Sequence, residues 1–393
     1  MSDAPIVVAG AGIGGLAAAL CLARAKRRVL VLERAPAIEE VGAGLQISPN
    51  AGRILQGLGL GEAMAACAIE PDAFRIRRAR DGAELARAPL SSAPARWGAP
   101  FRVFHRADLQ GLLHEAARRS DLIEIRTNLR VGDFEEDAGA VFIRAHGASG
   151  LEDIEARGLV GADGVRSGVR SGLVKNVRDA PVYSGCTAWR ALIATQDAPA
   201  QLRHRETHLW LGPGAHVVHY PLRDASIISA VAIIENGVQP AGEPDFLTGE
   251  QLRARPEFAS WRSVLGDLMT AGEKWRRWPL FARPRLNRWS EGAVTLLGDA
   301  AHPMLPFLAQ GAAQAIEDAA ALGAACAQTD DIGRAFDAYQ RARVARAGAI
   351  QAASRRQGRI LHAGPALSAA RDAMFRILGG AGALARNEWI YRG

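Results

Sequence analysis

Two kinds of hydrophobic pattern divide the chain. Ile6-Val7-Val8-Ala9 and Val29-Leu30-Val31-Leu32 are short, uninterrupted apolar runs, the pattern of strands buried on both faces of a parallel sheet. A glycine-rich turn at residues 10–15 separates the first from a predicted helix of small residues over 16–24, so 6–33 reads as one strand–helix–strand unit. Residues 108–119 place Leu109, Leu112, Leu113 and Ala116 on one helical face. Val141-Phe142-Ile143 and Leu209-Trp210-Leu211 read as strands. The stretch 182–278 is strand-rich, with tryptophans and prolines, which suits a separate sheet able to floor a pocket. From Gln310 onward the pattern becomes long, Ala-rich helices. The expected fold is α/β: a Rossmann-like domain from residues 1–72, 100–178 and 284–340, interrupted by a second domain. That second domain comprises 73–99 and 179–283, with a mainly antiparallel sheet; helices over 341–393 follow.

Composition narrows the function classes. The 393 residues carry a formal charge of +7, almost wholly from arginine, since Lys26, Lys175 and Lys274 are the only lysines. The arginines are scattered and form no basic stripe with interleaved aromatics, so no nucleic-acid partner is expected. The remaining reading is an electropositive cleft that attracts anionic ligands. Cys21, Cys67, Cys186 and Cys326 are far apart in sequence and form no C-x-x-C pair. Neither a metal site nor a disulfide framework is expected, and a reducing cytoplasm fits. The uncharged stretch 4–23 is long enough to imitate a membrane span, but Asp3 precedes it and glycine is dense within it. A buried strand, turn and helix explain it better, so no membrane partner or targeting segment is expected.

The glycine turn carries the first chemistry. In Gly10-Ala11-Gly12-Ile13-Gly14-Gly15, Gly10 permits the tight turn, Gly12 admits a pyrophosphate close to the backbone, and Gly15 lets helix and strand pack closely. The helix N-terminus then presents free N–H groups to the phosphates. Glu33, ending the second strand, is placed to accept hydrogen bonds from a ribose. This context predicts a bound dinucleotide without choosing between NAD and FAD.

Two later motifs make the choice. Gly161-Ala162-Asp163-Gly164-Val165-Arg166-Ser167 and Gly298-Asp299-Ala300-Ala301-His302-Pro303, in this order after the glycine turn, resemble the single-component (class A) FAD-dependent aromatic hydroxylases, salicylate hydroxylase among them. The resemblance runs from about residue 5 to about 340. It implies a GR2-type FAD domain, bound FAD, O2 as co-substrate, and NADH or NADPH as a reductant that binds transiently. It also implies a monomer or homodimer. By the same resemblance, Asp299 meets the flavin ribityl chain and Asp163 belongs to a second fingerprint shared by FAD and the nicotinamide cofactor. Arg106 contacts FAD, and Arg34, Gln46 (within residues 42–47) and Val131 fall at flavin-contact positions. Pro306 lies in the proline loop, and Gly311 and Ala312 open a helix whose N–H groups face the pyrimidine end of the flavin ring, where charge accumulates on reduction. A plain charge role for Arg106 at a helix start, with Asp108 as capping acid, stays open.

The chemistry implied is hydroxylation of a small phenol-like aromatic or heteroaromatic acid through a flavin 4a-hydroperoxide, with the cofactor carrying the hard step. Phenolate reacts better than phenol, whose pKa is about 10, so a base is wanted. In the predicted strand 214–221, His216 and Tyr220 share one face and His219 takes the other. His and Tyr at this spacing face the substrate in hydroxylases acting on 6-hydroxynicotinate. His216 is thus the candidate base or orienting group and Tyr220 a substrate contact; a sheet histidine with no catalytic task is the competing reading. His302 is expected to fix the proline loop by hydrogen bonding. Phe307 stands where the nicotinate-type members have histidine, and Pro306 where the 3-hydroxybenzoate 6-hydroxylases have glutamine. Both departures argue against either activity as such. They suggest an apolar ceiling from Leu305, Phe307 and Trp189, with a core role equally open for Trp189. Oxidation of a larger polycyclic or isoprenoid substrate and a non-oxygenating flavin reductase remain alternatives. The segment 387–391 has no assigned role.

Overall fold

The computed structural model describes residues 4–38, 44–137, 139–148, 150–238, 242 and 244–393. Asp3, and Gly42 and Ala43 of the 42–47 segment, lie outside the described residues. One sheet runs in the order Ser290–Glu291, Val294–Leu296, Gly158–Gly161, Ile6–Ala9, Val29–Leu32, Ile123–Arg126, and only the first pair is antiparallel. Ile6–Ala9 and Val29–Leu32 are buried throughout. Each Val, Ile or Leu so enclosed contributes about 1.5–3 kcal/mol, which is why apolar side chains on both faces suit the sheet centre.

Helix Ile13–Arg24 makes the crossover, starting three residues before the predicted 16 because Gly14 and Gly15 fall within its first turn. Helix Arg106–Arg118 also begins earlier than expected, which puts Arg106 in the first turn. Leu109 and Leu113 are buried on its inner face, and Asp108 pairs with Arg223 at 2.7 Å. The long helix Gly311–Gln328 packs along Ile13–Arg24 through small residues. A Cβ on Gly323 would come within 2.7 Å of the Cys21 carbonyl, and one on Gly14 within 3.0 Å of the Ala315 methyl. This close approach brings the first turns of both helices to one cavity.

The second sheet has eight strands, in the order Phe246–Leu247, Trp275–Ala282, Val182–Ala194, Ile227–Glu235, Ala215–Leu222, Glu206–Gly212, Ala73–Arg78, Glu84–Pro89. All its pairs are antiparallel except Glu206–Gly212 with Ala73–Arg78. Trp189, Trp210, Trp261 and Trp275 fill the core behind it, and the opposite face turns toward the cavity.

Helix Ile332–Leu361 runs unbroken through the expected division at 340/341. The C-terminal segment is firmly docked. Arg346 donates to the Ile390 carbonyl at 2.8 Å, Arg53 to the Tyr391 carbonyl at 2.9 Å, and Tyr391 packs edge-on to Trp97 and Phe101 at 5.1 and 5.0 Å. This gives residues 387–391 a structural task that their sequence did not reveal. The four cysteines are free thiols. No helix among the described residues is long and apolar enough to cross a membrane.

Candidate active site

A cavity of about 640 Å³ lies between the two sheets. It is lined by Gly10, Gly12, Gly14, Glu33, Arg34, Gln46, Arg106, Val131, Asp163, Asp299, Pro306, Gly311, Ala312, His216 and Tyr220. Of the candidate cofactor-binding and catalytic residues, only Gly15 lies outside its lining. A Cβ there would strike the Gly10 carbonyl, so Gly15 serves the turn by packing. Gly10 holds φ +106°, which L side chains rarely adopt. A Cβ at Gly12 would meet nothing within 4 Å, so this backbone faces open space. Neither Ile13–Arg24 nor Gly311–Gln328 has a side-chain cap, and their first N–H groups remain available to an anion.

The acids here are partly committed to the fold. Glu33 accepts from the backbone N–H groups of Ala11 at 2.8 Å and Ala35 at 2.9 Å, which holds the glycine turn against the second strand. Asp163 Oδ2 accepts from Gly168 N at 2.8 Å, while its buried Oδ1 has no partner among the described residues. Asp299 is exposed to the cavity, with protein on its other sides. Burial raises its pKa, opposed by the charges of His302 and Arg106.

The proline loop stands on a buried polar network. His302 Nε2 and Gly298 N both approach Asp318 Oδ2, at 2.5 and 3.0 Å, and Arg343 Nε reaches Asp318 Oδ1 at 2.7 Å. Burial would raise the Asp318 carboxyl, but His302 and Arg343 more than offset it and bring it down to about 2. His302 does not line the cavity; its contacts are those of a loop support. Ala309, at the loop's end, holds φ +51°, a left-handed conformation that costs a non-glycine residue about 1–2 kcal/mol.

At the other end the antiparallel sheet supplies the wall. Strand alternation sends His216, Val218 and Tyr220 to the cavity, opposite Ile233, Val231 and Ser229 of the neighbouring strand. His219 points the other way, where its ring stacks on His208 with centroids 4.6 Å apart. Arg190, across from Val231, joins the same cavity face. It is partly buried, lies 5.6 Å from the Trp278 ring, and its enclosed Nε has no hydrogen-bond partner among the described residues. Burial pushes the Arg190 guanidinium down, and Tyr220 pushes it the other way. Burial also raises the Tyr220 phenol to about 12, while Arg190 and a hydrogen bond with Ser229 oppose the rise. Gly44 must be glycine, because a Cβ would come within 2.5 Å of both the Tyr220 ring and Ser229 Oγ.

One open reading is decided here, for Trp189, and one expectation is corrected, for Leu305 and Phe307. Trp189 is fully buried in the core behind the sheet, because alternation turns it away from Arg190. Phe307 and Leu305 do not line the cavity; Met304, Pro306 and Ala309 do. Phe307 instead packs against His216 and His362, with centroids 5.8 and 5.3 Å away. His216 is not a histidine of ordinary basicity. Burial, then His362 and Arg371, push it well below the usual 6.5.

Residues 3–354 match the family described as FAD binding domain. The chain belongs to that family. It is 38% identical over 387 residues to 3-hydroxybenzoate 6-hydroxylase 1 of Aquipseudomonas alcaligenes, covering 98% of this chain and 92% of the relative. It is 35% identical over 353 residues to 6-hydroxynicotinate 3-monooxygenase of Bordetella bronchiseptica, covering 89% and 90%. Among solved structures, Klebsiella pneumoniae HpxO complexed with FAD and uric acid matches with a TM-score of 0.86 at 26% identity, over 98% and 96% of the two chains. A salicylate hydroxylase substrate complex matches with a TM-score of 0.82 at 25% identity, over 100% and 96%. The protein is therefore a class A FAD-dependent aromatic hydroxylase, an oxidoreductase.

The residues of this hydroxylase fit FAD. Two uncapped helix N-termini, the open face at Gly12 and the orphaned Asp163 Oδ1 offer donors and an acceptor where a dinucleotide needs them. Sequence reasoning missed Arg190. Its signal was available: one arginine within the otherwise apolar run Ala188-Trp189-Arg190-Ala191-Leu192-Ile193. It also missed His362, which touches His216 across 146 positions of sequence and has no local pattern to betray it.

Proposed function

We propose that the hydroxylase acts on a small aromatic or heteroaromatic carboxylate bearing a hydroxyl group, consuming O2 and NADH or NADPH. One observation carries this reading: His216, Tyr220 and the partly buried cation Arg190 share one face at one cavity wall. Bound FAD, once reduced, supplies the oxygen-activating chemistry. Arg190 receives the substrate carboxylate; a hydrogen bond to a charged group in such a site contributes about 1.5–3 kcal/mol. Tyr220, kept protonated by burial, donates to the substrate and fixes its orientation. His216 accepts the hydrogen bond of the substrate hydroxyl and increases its phenolate character. Val218, Val231 and Ile233 form an apolar floor that excludes water from the reacting atoms. Relatives named for 3-hydroxybenzoate and 6-hydroxynicotinate, both small hydroxylated acids, support the substrate class.

The test is a panel of hydroxybenzoates and hydroxynicotinates assayed for substrate-stimulated NADH and NADPH oxidation, with oxygen uptake, peroxide and product measured together. Hydroxylated product with little peroxide supports the reading. Stimulated oxidation that yields only peroxide for every acid tested counts against it.

A further inference from the structure

His216 cannot hold the proton it is asked to accept. A free phenol has a pKa of about 10, whereas the enclosed imidazole is pushed well below its usual 6.5 by burial, His362 and Arg371. A proton left on it would be a buried cation without a partner acid, so the proton needs an exit.

We propose that His362 and Glu235 extend His216 into a proton path that carries the substrate's hydroxyl proton from the cavity to solvent. The inference rests on the reading of His216 given above. His216 Nδ1 lies 2.7 Å from His362 Nε2, and His362 Nδ1 lies 3.5 Å from Glu235 Oε2. His216 lines the cavity, the His362 side chain is 2% exposed, and the Glu235 side chain is 57% exposed. The three groups therefore span the wall of the site, from its interior to water.

The transfer balances as a hydrogen shift. The phenolic O–H bond breaks and its proton forms a bond to His216 Nε2. The proton on His216 Nδ1 moves to His362 Nε2, and that on His362 Nδ1 moves to the Glu235 carboxylate, which releases it to water. Phenolate stays in the cavity, and each imidazole ends neutral in its other tautomer. Burial, followed by Arg371, lowers His362 to about 4, so both rings are neutral between transfers and pass a proton without storing it.

The surroundings allow this direction. Phe307 closes the sides of both rings, and Gly358 leaves room for it, since a Cβ there would lie 2.5 Å from the Phe307 ring. Among the described residues, Glu235 from the sheet and Arg371 from helix Pro365–Ala385 are charged groups beside His362. Arg371 is tied to Asp372 at 2.9 Å and donates to the Leu361 carbonyl at 2.8 Å. Glu235 is thus the proton-accepting terminus. His362 and Glu235 act through His216 and touch no reacting atom.

The test uses the FAD-loaded full chain with 3-hydroxybenzoate, salicylate and 6-hydroxynicotinate as probes. Ionisation of the bound hydroxyl is followed by ultraviolet absorbance, and proton release by phenol red. His362→Gln keeps a hydrogen bond to His216 but cannot relay. It is expected to slow ionisation and kcat at about pH 7 by on the order of 10²-fold, with KM and FAD content unchanged. With 3-hydroxybenzoate, a simple phenol, the deficit shrinks as pH approaches the hydroxyl's own value of about 10. Glu235→Gln, on the surface, shows a smaller loss with the same pH trend, and added imidazole restores His362→Ala. Should His362→Gln lose FAD, the Glu235 variant and the imidazole rescue decide. Wild-type ionisation in the His362 and Glu235 variants, with His216→Gln impaired, overturns the path and leaves the site reading intact. Wild-type ionisation in all three variants, or no flavin spectral change with any probe, overturns both.

Discussion

His302 Nε2 lies 2.5 Å from Asp318 Oδ2, and the same oxygen receives the backbone N–H of Gly298. One carboxylate thereby links the start of the Gly298-Asp299 turn to the histidine four residues on, while Arg343 occupies its other oxygen. The strand end that presents Asp299 to the cavity is thus held from below by a helix residue.

Asp318→Asn removes the charge but not the shape. A broken buried pair costs about 3–5 kcal/mol because partners are left uncompensated. Denaturant unfolding is expected to show a loss of that size, with weaker FAD retention. Because folding depresses this carboxyl to about 2, from about 3.9 unfolded, its contribution is fully present above about pH 4. It is lost as pH falls through about 2.

The stacked His208–His219 pair predicts a second acid sensitivity at a higher pH. Burial, then Arg77, lowers His208 to about 3, and burial with His208 pushes His219 well below 6.5. Both must bind protons on unfolding. Stability is complete above about pH 6.5 and declines below it by up to about 1.4 kcal/mol per pH unit for each ring. His219→Phe keeps the stack and should reduce the slope of unfolding free energy against pH by one proton between about pH 6 and 4; an unchanged slope counts against this.

The fingerprint glycines should separate into two kinds. Gly15→Ala drives a methyl into the Gly10 carbonyl and should destabilise the apoprotein by several kcal/mol, on the scale of core overpacking at about 1–3 or more. Gly12→Ala meets open space and should leave apoprotein unfolding within about 0.5 kcal/mol. It should nonetheless weaken FAD by about tenfold or more, because the methyl occupies the approach of the pyrophosphate. Equilibrium unfolding and FAD titration of both variants provide the check.

Arg190→Met keeps length and removes charge. KM for a hydroxylated aromatic acid should rise by about 10- to 150-fold, equivalent to about 1.5–3 kcal/mol, while the corresponding amide is affected far less. Equal effects on acid and amide would remove Arg190 from carboxylate recognition.

Much of this hydroxylase is legible in its sequence, because the signals are local. Apolar runs at Ile6–Ala9 and Val29–Leu32 specify buried parallel strands. A glycine that must adopt φ +106° specifies a turn, and alternation alone assigns His216 and Tyr220 to one face and His219 to the other. The sequence by itself determined the α/β class, the dinucleotide end and the side of the sheet that meets the cavity. Only tertiary structure decided which aromatic residues line that cavity, since Trp189 and Phe307 depend on what packs against each face. It alone decided the basicity of His216, because desolvation is set by enclosure and not by neighbours in sequence. It alone joined His216 to His362 and Glu235, residues that share no period or motif and meet because a C-terminal helix ends against the sheet.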